Sequence, residues 1–281
     1  MDLVRVSECG ELAQARTGAR VDARRAVFYG ACGLAFAIST GLTVAACLSM
    51  SAMGEMPMPG GRTMSMMWLP VCGQTWPAVA ASFVGMWIAM MVAMMLPSVA
   101  PALWRYHEAL RSAGHTRVAT QTGLAALAYF AVWAALGLAV FALGAALAML
   151  EMRIPAVSRA IPVVGGAVVL LAGALQMSSL KAHYLHCWRR EPDCGCAVLR
   201  SRAAAALRYG SRLGLHCCFC CASLTAVLVV AGVMNPLAMA AVTAAITLER
   251  LTRDGRFVAR SIGLVVVGIG LLMIVRAAGL I

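Results

Sequence analysis

Thiol and imidazole side chains are concentrated in one short string, HCCFCC, at residues 216–221. Placed on a helix at about 100° per residue, four of them share one face: His216, Cys217, Cys220 and Cys221. Such a face can bind a soft metal ion through thiolates and imidazole. It can also hold a redox-active pair at Cys217 and Cys220, or simply small side chains packed in a core. Four cysteines in five positions favour the metal site.

A second group of the same residue types precedes this string. The pattern HxxHC ends at His186 and Cys187, within a predicted inner loop at residues 181–216 that is rich in cysteine and histidine. Both side chains are candidates to complete a ligand shell, although the spacing does not match a known zinc ribbon. The string at 216–221 is predicted to open a membrane span, where the positive end of the helix dipole favours a thiolate.

Methionine is distributed just as unevenly, and one cluster lies in an apolar stretch. On a predicted helix its members occupy one half of the surface, just before Pro97, which removes a backbone donor and breaks the hydrogen-bond ladder. Thioethers are soft ligands suited to Cu(I), so this face could hold or pass such an ion. Core packing is the alternative, because methionine fills irregular gaps between helices. The candidate ligands are Met90, Met91, Met94 and Met95.

Another seven methionines lie in or beside a predicted outer loop at residues 50–80, in MxxM and MxM spacings. An exposed loop of this kind can capture a soft ion. The alternative is a flexible hydrophobic loop that lies on the membrane.

The elements that position these residues are membrane helices. Of 281 residues, 62% are apolar and 12% are charged, and the mean hydropathy is +0.85. This composition excludes a disordered chain and leaves too little polar side chain to cover a water-soluble globule. Seven apolar runs approach the roughly 20 residues that cross a bilayer. They lie near residues 26–50, 80–103, 122–150, 161–180, 213–233, 236–249 and 257–277.

The basic residues orient these spans. Of the 23 lysines and arginines, 19 fall on one predicted side, and basic residues favour the cytoplasmic side of short loops. The predicted fold is therefore an all-α polytopic membrane helix bundle of about seven transmembrane helices, with six possible, and a cytoplasmic N-terminus. Residues 1–25 form a cytoplasmic segment, and residues 26–281 form a single transmembrane domain. Because topology accounts for the formal charge of +12, that charge does not indicate nucleic-acid binding.

Several enzyme classes lose support because their motifs do not occur in the sequence. No GxxxxGK[ST], HExxH or GxSxG string is present. The sequence therefore gives no support for a P-loop nucleotide-binding protein, a zincin metalloprotease or an esterase with the usual nucleophile elbow. Acidic residues lie outside the predicted spans or at their ends, with Glu249 nearest to the hydrocarbon. An ordinary proton-coupled pump would place more of them inside. The sequence therefore favours a binding or transport protein over an enzyme.

Two motifs resemble those of a bacterial family of unknown function, described as predicted metal-binding integral membrane proteins. The first is WxxMxxAMMxP, which this chain meets at residues 87–97. The second is a glycine-rich entry to CxxCC, met by Gly210, Gly214 and residues 217–221. The resemblance covers residues 80–275 and implies a membrane protein with a metal site, but no established reaction.

The leading hypothesis is the handling of a soft metal ion, with Cu(I) as the best candidate and Zn(II) possible. The outer loop would collect the ion, the methionine face would pass it, and the cysteine group would accept it, in a bacterial inner membrane. Expected partners are the lipid bilayer and a metallochaperone or membrane client protein. One alternative is a membrane thiol–disulfide oxidoreductase that uses the CxxC of Cys217 and Cys220. The other is a membrane assembly factor or scaffold, for which the GxxxG spacing of Gly210 and Gly214 is weak support.

Overall fold

The computed structural model describes residues 2–52, 56–57, 63–64, 68, 73–190, 203–233, 235–252 and 254–278. Within them the chain forms eight helices and one pair of two-residue strands, β1 (Met56–Pro57) and β2 (Thr63–Met64), which run antiparallel. The predicted all-helical bundle is confirmed. The helices are α1 (Asp2–Ala52), α2 (Trp76–Ser112), α3 (Val118–Arg153), α4 (Pro155–Met177), α5 (Ser179–Arg190), α6 (Ala203–Ala231), α7 (Pro236–Leu251) and α8 (Gly255–Ala277).

Every predicted span lies within a helix, to within about three residues at its ends, but not every helix has the length of a span. Six helices of the described part are long and apolar enough to cross a membrane, namely α1 from Asp22 onward, α2, α3, α4, α6 and α8. Helix α7 has only 16 residues, or about 24 Å at 1.5 Å per residue. That is shorter than the roughly 30 Å of a hydrocarbon core. It follows α6 after a short turn whose Asn235 side chain accepts from the backbone N–H groups of Leu237 and Ala238.

Several helices extend well beyond the apolar runs that predicted them. Helix α6 begins at Ala203, ten residues before the predicted start of its span, and α2 continues through Pro97 and Pro101 to Ser112. Pro97 lacks the backbone donor of the ladder, as expected, but α2 is continuous across it. Much of the predicted inner loop is also helical, because α5 covers residues 179–190. Alanine, leucine and arginine are good helix formers even where charge lowers the hydropathy.

Helices α2 and α6 form the centre of the bundle. Half of the apolar window of each is buried, against 17–28% for the windows of the other four spanning helices. Helix α2 packs against α1, α3 and α7, and α6 packs against α3, α4 and α7. Residues on the inward faces of these two helices therefore meet inside the protein rather than on its surface.

Glycines allow two helix pairs to approach closely. A Cβ at Gly210 would clash with the backbone of Ala125, and one at Gly214 would lie 3.0 Å from the carbonyl oxygen of Tyr129. The GxxxG spacing thus serves contact between α6 and α3 of the same chain, which accounts for it without a partner protein. Helices α4 and α8 pack in a similar way through glycines seven residues apart on each helix: Gly166, Gly173, Gly263 and Gly270.

Candidate metal centre

Three cysteines of α6 form the centre of the site. Cys217, Cys220 and Cys221 are buried, with exposed fractions of 0%, 1% and 1%. All three are free thiols. Cys218 is half-buried and Phe219 is exposed. The predicted inward cysteine face is therefore present, whereas His216, at its edge, is half-buried.

The cysteines do not lie at the start of their helix, contrary to the prediction. Cys217 follows Ala203 by 14 residues, or about 21 Å along the helix axis. The helix dipole acts mainly within the first turn, so it does not stabilise these thiols. The predicted start of this helix was wrong because Arg208 and Arg212 end the apolar run on which it was based. The surrounding alanine-rich sequence nevertheless continues the helix.

The methionine face of α2 packs into the same core. The four predicted residues are buried, with exposed fractions of at most 3%, and they belong to one apolar cluster with Cys217 and Cys221. Met95 is the member that reaches the thiols, because its Sδ lies 4.0 Å from Cys217 Sγ. Helix α2 is fixed at this height by Trp87, whose Nε1 donates to the carbonyl oxygen of Trp133 at 2.9 Å. Sulfur atoms from two helices therefore converge in the buried interior.

Arg250 is the most informative residue of the site that the sequence analysis did not identify. Its Nη2 donates to Cys217 Sγ at 3.0 Å and to Cys221 Sγ at 2.9 Å, while Nη1 donates to Ser98 Oγ at 3.0 Å. The side chain is 7% exposed. The charge count placed this arginine in an inner loop, but it is an inward-facing residue in the last turn of α7. Helical periodicity could have identified Arg250 as an inward-facing residue. The buried residues of α7 recur at helical spacing and end with it: Met239, Val242, Ile246, Glu249 and Arg250.

Tyr129 adds a second donor, from α3. Its hydroxyl donates to Cys217 Sγ at 2.9 Å, and the ring is completely buried. The Gly214 contact brings this part of α3 close to α6. Cys217 therefore receives hydrogen bonds from a neutral phenol and a cationic guanidinium, and both stabilise negative charge on its sulfur.

A buried ion pair lies beside the thiols. Lys181 Nζ bonds to Glu249 Oε2 at 2.8 Å and donates to the carbonyl oxygen of Cys220 at 2.6 Å. Gln176 donates to the other carboxylate oxygen of Glu249 and accepts from the Ser223 hydroxyl. This network joins α4, α5, α6 and α7, and its two charges balance each other. The sequence analysis counted Lys181, like Arg250, as a loop residue. Both are buried because helices from distant parts of the chain pack around them.

The two candidates on α5 are only partly described. Helix α5 carries the backbone of His186 and Cys187, and their side chains lie outside the described residues. Most of the predicted methionine loop also lies outside them, and the described backbone there places Met56 opposite Met64.

The chemical character of the cluster fits a soft monovalent ion. Thiolates and thioethers select Cu(I) over the hard cations that prefer oxygen. Within the described part of the chain, however, no three His, Cys, Asp or Glu side chains are arranged to hold a metal ion as they stand. In this structure the sulfurs of Cys217 and Cys221 both accept from Arg250. An ion that bridges these two sulfurs must displace the Nη2 hydrogen bonds.

Comparison with known proteins identifies the family. The profile of the PpoB2 family, described as a copper chaperone, matches residues 84–273, about two thirds of the chain. This range includes the methionine face, the thiols, Tyr129, Lys181 and Arg250. No curated protein and no solved structure matches the chain. Since the matched range covers well over half of the sequence, the chain belongs to the PpoB2 family of copper chaperones.

Proposed function

We propose that the protein is a membrane-embedded copper chaperone that carries Cu(I) as cargo at the sulfur cluster between α6 and α2. One observation carries the proposal, namely that the Cys217, Cys220 and Cys221 thiols are all buried on one side of α6, where the Met95 thioether of α2 lies 4.0 Å from Cys217 Sγ. Family membership supports a role in copper handling. Soft sulfur ligands support the cuprous ion in particular.

The geometry suggests different roles for the three thiols. Cys217 and Cys221 are one helical turn apart, and each lies within 3.0 Å of the same arginine nitrogen. Their sulfurs are therefore no more than about 6 Å apart, and a small closing movement brings both onto one ion. Met95 adds a neutral third ligand beside Cys217. Cys220, the next residue along the chain before Cys221, is the thiol that receives or passes on the ion.

Burial favours this function over disulfide exchange. A thiol oxidoreductase brings a partner sulfur into line with its attacking thiolate, but Cys217 and Cys220 are 0% and 1% exposed. A single metal ion needs a much narrower path than a protein disulfide. The scaffold alternative loses its sequence support, because Gly210 and Gly214 pack against α3.

The direction of transfer that we propose is from the outer methionines inward to the thiols, in a bacterial inner membrane. Thiolates bind Cu(I) more tightly than thioethers, because they carry charge, so the exchange is favourable in that direction. The ion then passes to a metallochaperone or to a membrane client protein. His186 and Cys187 on α5 are the proposed exit ligands, since α5 contacts α6.

Elemental mass spectrometry of the detergent-purified protein tests the proposal after reductive loading with Cu(I). We expect near-stoichiometric copper in the wild type and loss of that copper in Cys217→Ser/Cys221→Ser. The matched control is Cys32→Ser/Cys218→Ser, which removes two half-buried thiols and should retain the copper. Copper that persists in the first variant, or is absent from the wild type, would overturn the proposal. Loading with Zn(II) in parallel shows whether the site accepts a divalent ion.

A further inference from the structure

A groove lies between α1 and α3, over one side of α2. Both helices pack against α2 but make little contact with each other. Most side chains that face the gap are small, among them Ala31, Ala35 and Gly123, and a Cβ added at Gly123 would meet nothing within 4 Å. The small side chains leave a cavity of about 650 Å³.

Polar and apolar residues are separated along this groove. Eleven of the fourteen lining residues are apolar, and the three polar ones, Arg24, His107 and Thr122, lie together at one end. His107 Nδ1 is 3.3 Å from Thr122 Oγ1, and the Arg24 side chain is half-buried. The opposite end is lined by Ala35, Leu96 and Ala126. The groove therefore has an apolar body and one cationic end.

The length of the groove matches one leaflet of a bilayer. From Arg24 to Ala35 the lining spans eleven residues of α1, or about 16 Å, and half of a hydrocarbon core is about 15 Å. The cationic end has the character of a membrane interface, because Trp104 lies against Phe28 and stacks on His107, with ring centroids 5.3 and 5.4 Å apart. Tryptophan is enriched at that depth.

The segments that build the groove carry an excess of positive charge. Residues 22–35 and 96–123 contain five arginines and two acidic residues, and Arg24 is the arginine that lines the cavity. Basic pockets between membrane helices bind the headgroups of anionic lipids. The charge therefore complements a phosphate at the end where the apolar body begins.

We propose that this groove binds an anionic phospholipid, with one acyl chain between α1 and α3 and the phosphate at Arg24. The lipid belongs to the leaflet on the N-terminal side of α1, which is the predicted cytoplasmic side. A partner helix fits less well, because a helix about 10 Å wide occupies about 1,300 Å³ over the same length, twice the cavity volume. The site is separate from the sulfur cluster and does not depend on the proposed function.

Native mass spectrometry of the full-length protein tests headgroup recognition, in detergent that contains equal amounts of dioleoylphosphatidylglycerol and dioleoylphosphatidylcholine. The wild type should retain one phosphatidylglycerol in preference to phosphatidylcholine. Arg24→Gln should lower the ratio of the two bound lipids by about fivefold, the effect of one arginine near an anionic headgroup. The matched control is Arg105→Gln, which removes an exposed charge from α2 outside the groove and should leave the ratio unchanged.

A second pair of variants tests where the acyl chain lies. Ala31 and Ala37 are both exposed on α1, but only Ala31 lines the groove. Ala31→Trp fills the cavity and should reduce binding of both lipids, whereas Ala37→Trp should bind as the wild type does. Cys32 also lines the groove, so phosphatidylglycerol should slow its alkylation by N-ethylmaleimide. The half-buried Cys218 of α6 should react at an unchanged rate.

Three results would overturn the proposal. The first is equal retention of the two lipids by the wild type, which would show that the cationic end does not recognise a headgroup. The second is an equal fall in the lipid ratio in Arg24→Gln and Arg105→Gln, which would indicate general surface charge. The third is equal lipid binding by Ala31→Trp and Ala37→Trp, which would place the lipid elsewhere on the protein.

Discussion

Lys181 is the one lysine in the chain, and it is buried beside the thiol cluster. Its ammonium pairs with Glu249 at 2.8 Å and donates to the Cys220 carbonyl oxygen at 2.6 Å. The two charged side chains are 5% and 2% exposed. Lys181→Met keeps most of the side-chain length but removes the charge. The Glu249 carboxylate then stays buried without the Lys181 ammonium, so we expect a large loss of stability.

The magnitude can be worked from burial. Breaking a buried pair by removing one partner costs about 3–5 kcal/mol, and for a protein of this size each kcal/mol shifts Tm by roughly 2–4 °C. Lys181→Met should therefore lower Tm by roughly 6–20 °C. The double variant Lys181→Met/Glu249→Gln removes both charges of the pair and should melt above Lys181→Met. That ordering distinguishes an ion pair from a purely steric role of the lysine side chain.

Thermal unfolding in detergent, followed by tryptophan fluorescence, measures these shifts. Arg212→Met is the matched control, because it removes an exposed cation from α6 and should change Tm little. An independent assay uses an amine-reactive acetylating reagent and peptide mass spectrometry. Lys181 should stay unmodified in the folded protein and react after unfolding.

Two results would refute this reasoning. Equal melting temperatures for Lys181→Met and the wild type would show that the charge is not compensated at Glu249. Reaction of Lys181 in the folded protein as fast as in the unfolded chain would show that the ammonium is not buried. In either case the network would not hold α5 against α6.

The remaining predictions concern helix contact and thiol hydrogen bonding. Gly210→Ala should destabilise the protein by about 1–3 kcal/mol, measured as a lower Tm, because the added methyl meets the Ala125 backbone. Gly123→Ala, where open space surrounds the position, should be neutral or stabilising; equal losses in both would contradict the close contact. Tyr129→Phe removes the 2.9 Å donor to Cys217 and should weaken Cu(I) binding about tenfold, measured by chelator competition. Tyr29→Phe on α1 is its control, and unchanged affinity in Tyr129→Phe would place the phenol outside the cargo site.

The fold was largely predictable from hydropathy. Backbone groups inside a bilayer must bond within their own segment, so long apolar runs have to be helices, and each of the seven predicted spans lies within a helix to within about three residues. Their ends were less predictable, as α6 shows, because a charged residue ends an apolar run without ending a helix. The short α7 is a helix too, but its length of 16 residues does not make it a span.

The site was predictable within a helix and not between helices. Periodicity alone places Cys217, Cys220 and Cys221 on one face and the methionines of α2 on another, because 3.6 residues per turn is a local property. Periodicity within α2 does not predict that Met95 is the methionine that contacts Cys217. That contact depends on the height at which α2 and α6 pack, which the Trp87 and glycine contacts decide.

The sequence by itself determined that the chain is a bundle of apolar helices, and that soft sulfur ligands line two of them. Only the tertiary structure decided what surrounds those ligands. From the sequence, Arg250 and Lys181 were predicted to be solvated loop residues, because a charged residue near the end of an apolar run is normally exposed to water. Folding buries both against partners from distant parts of the chain, and a buried charge is stable only where such partners converge.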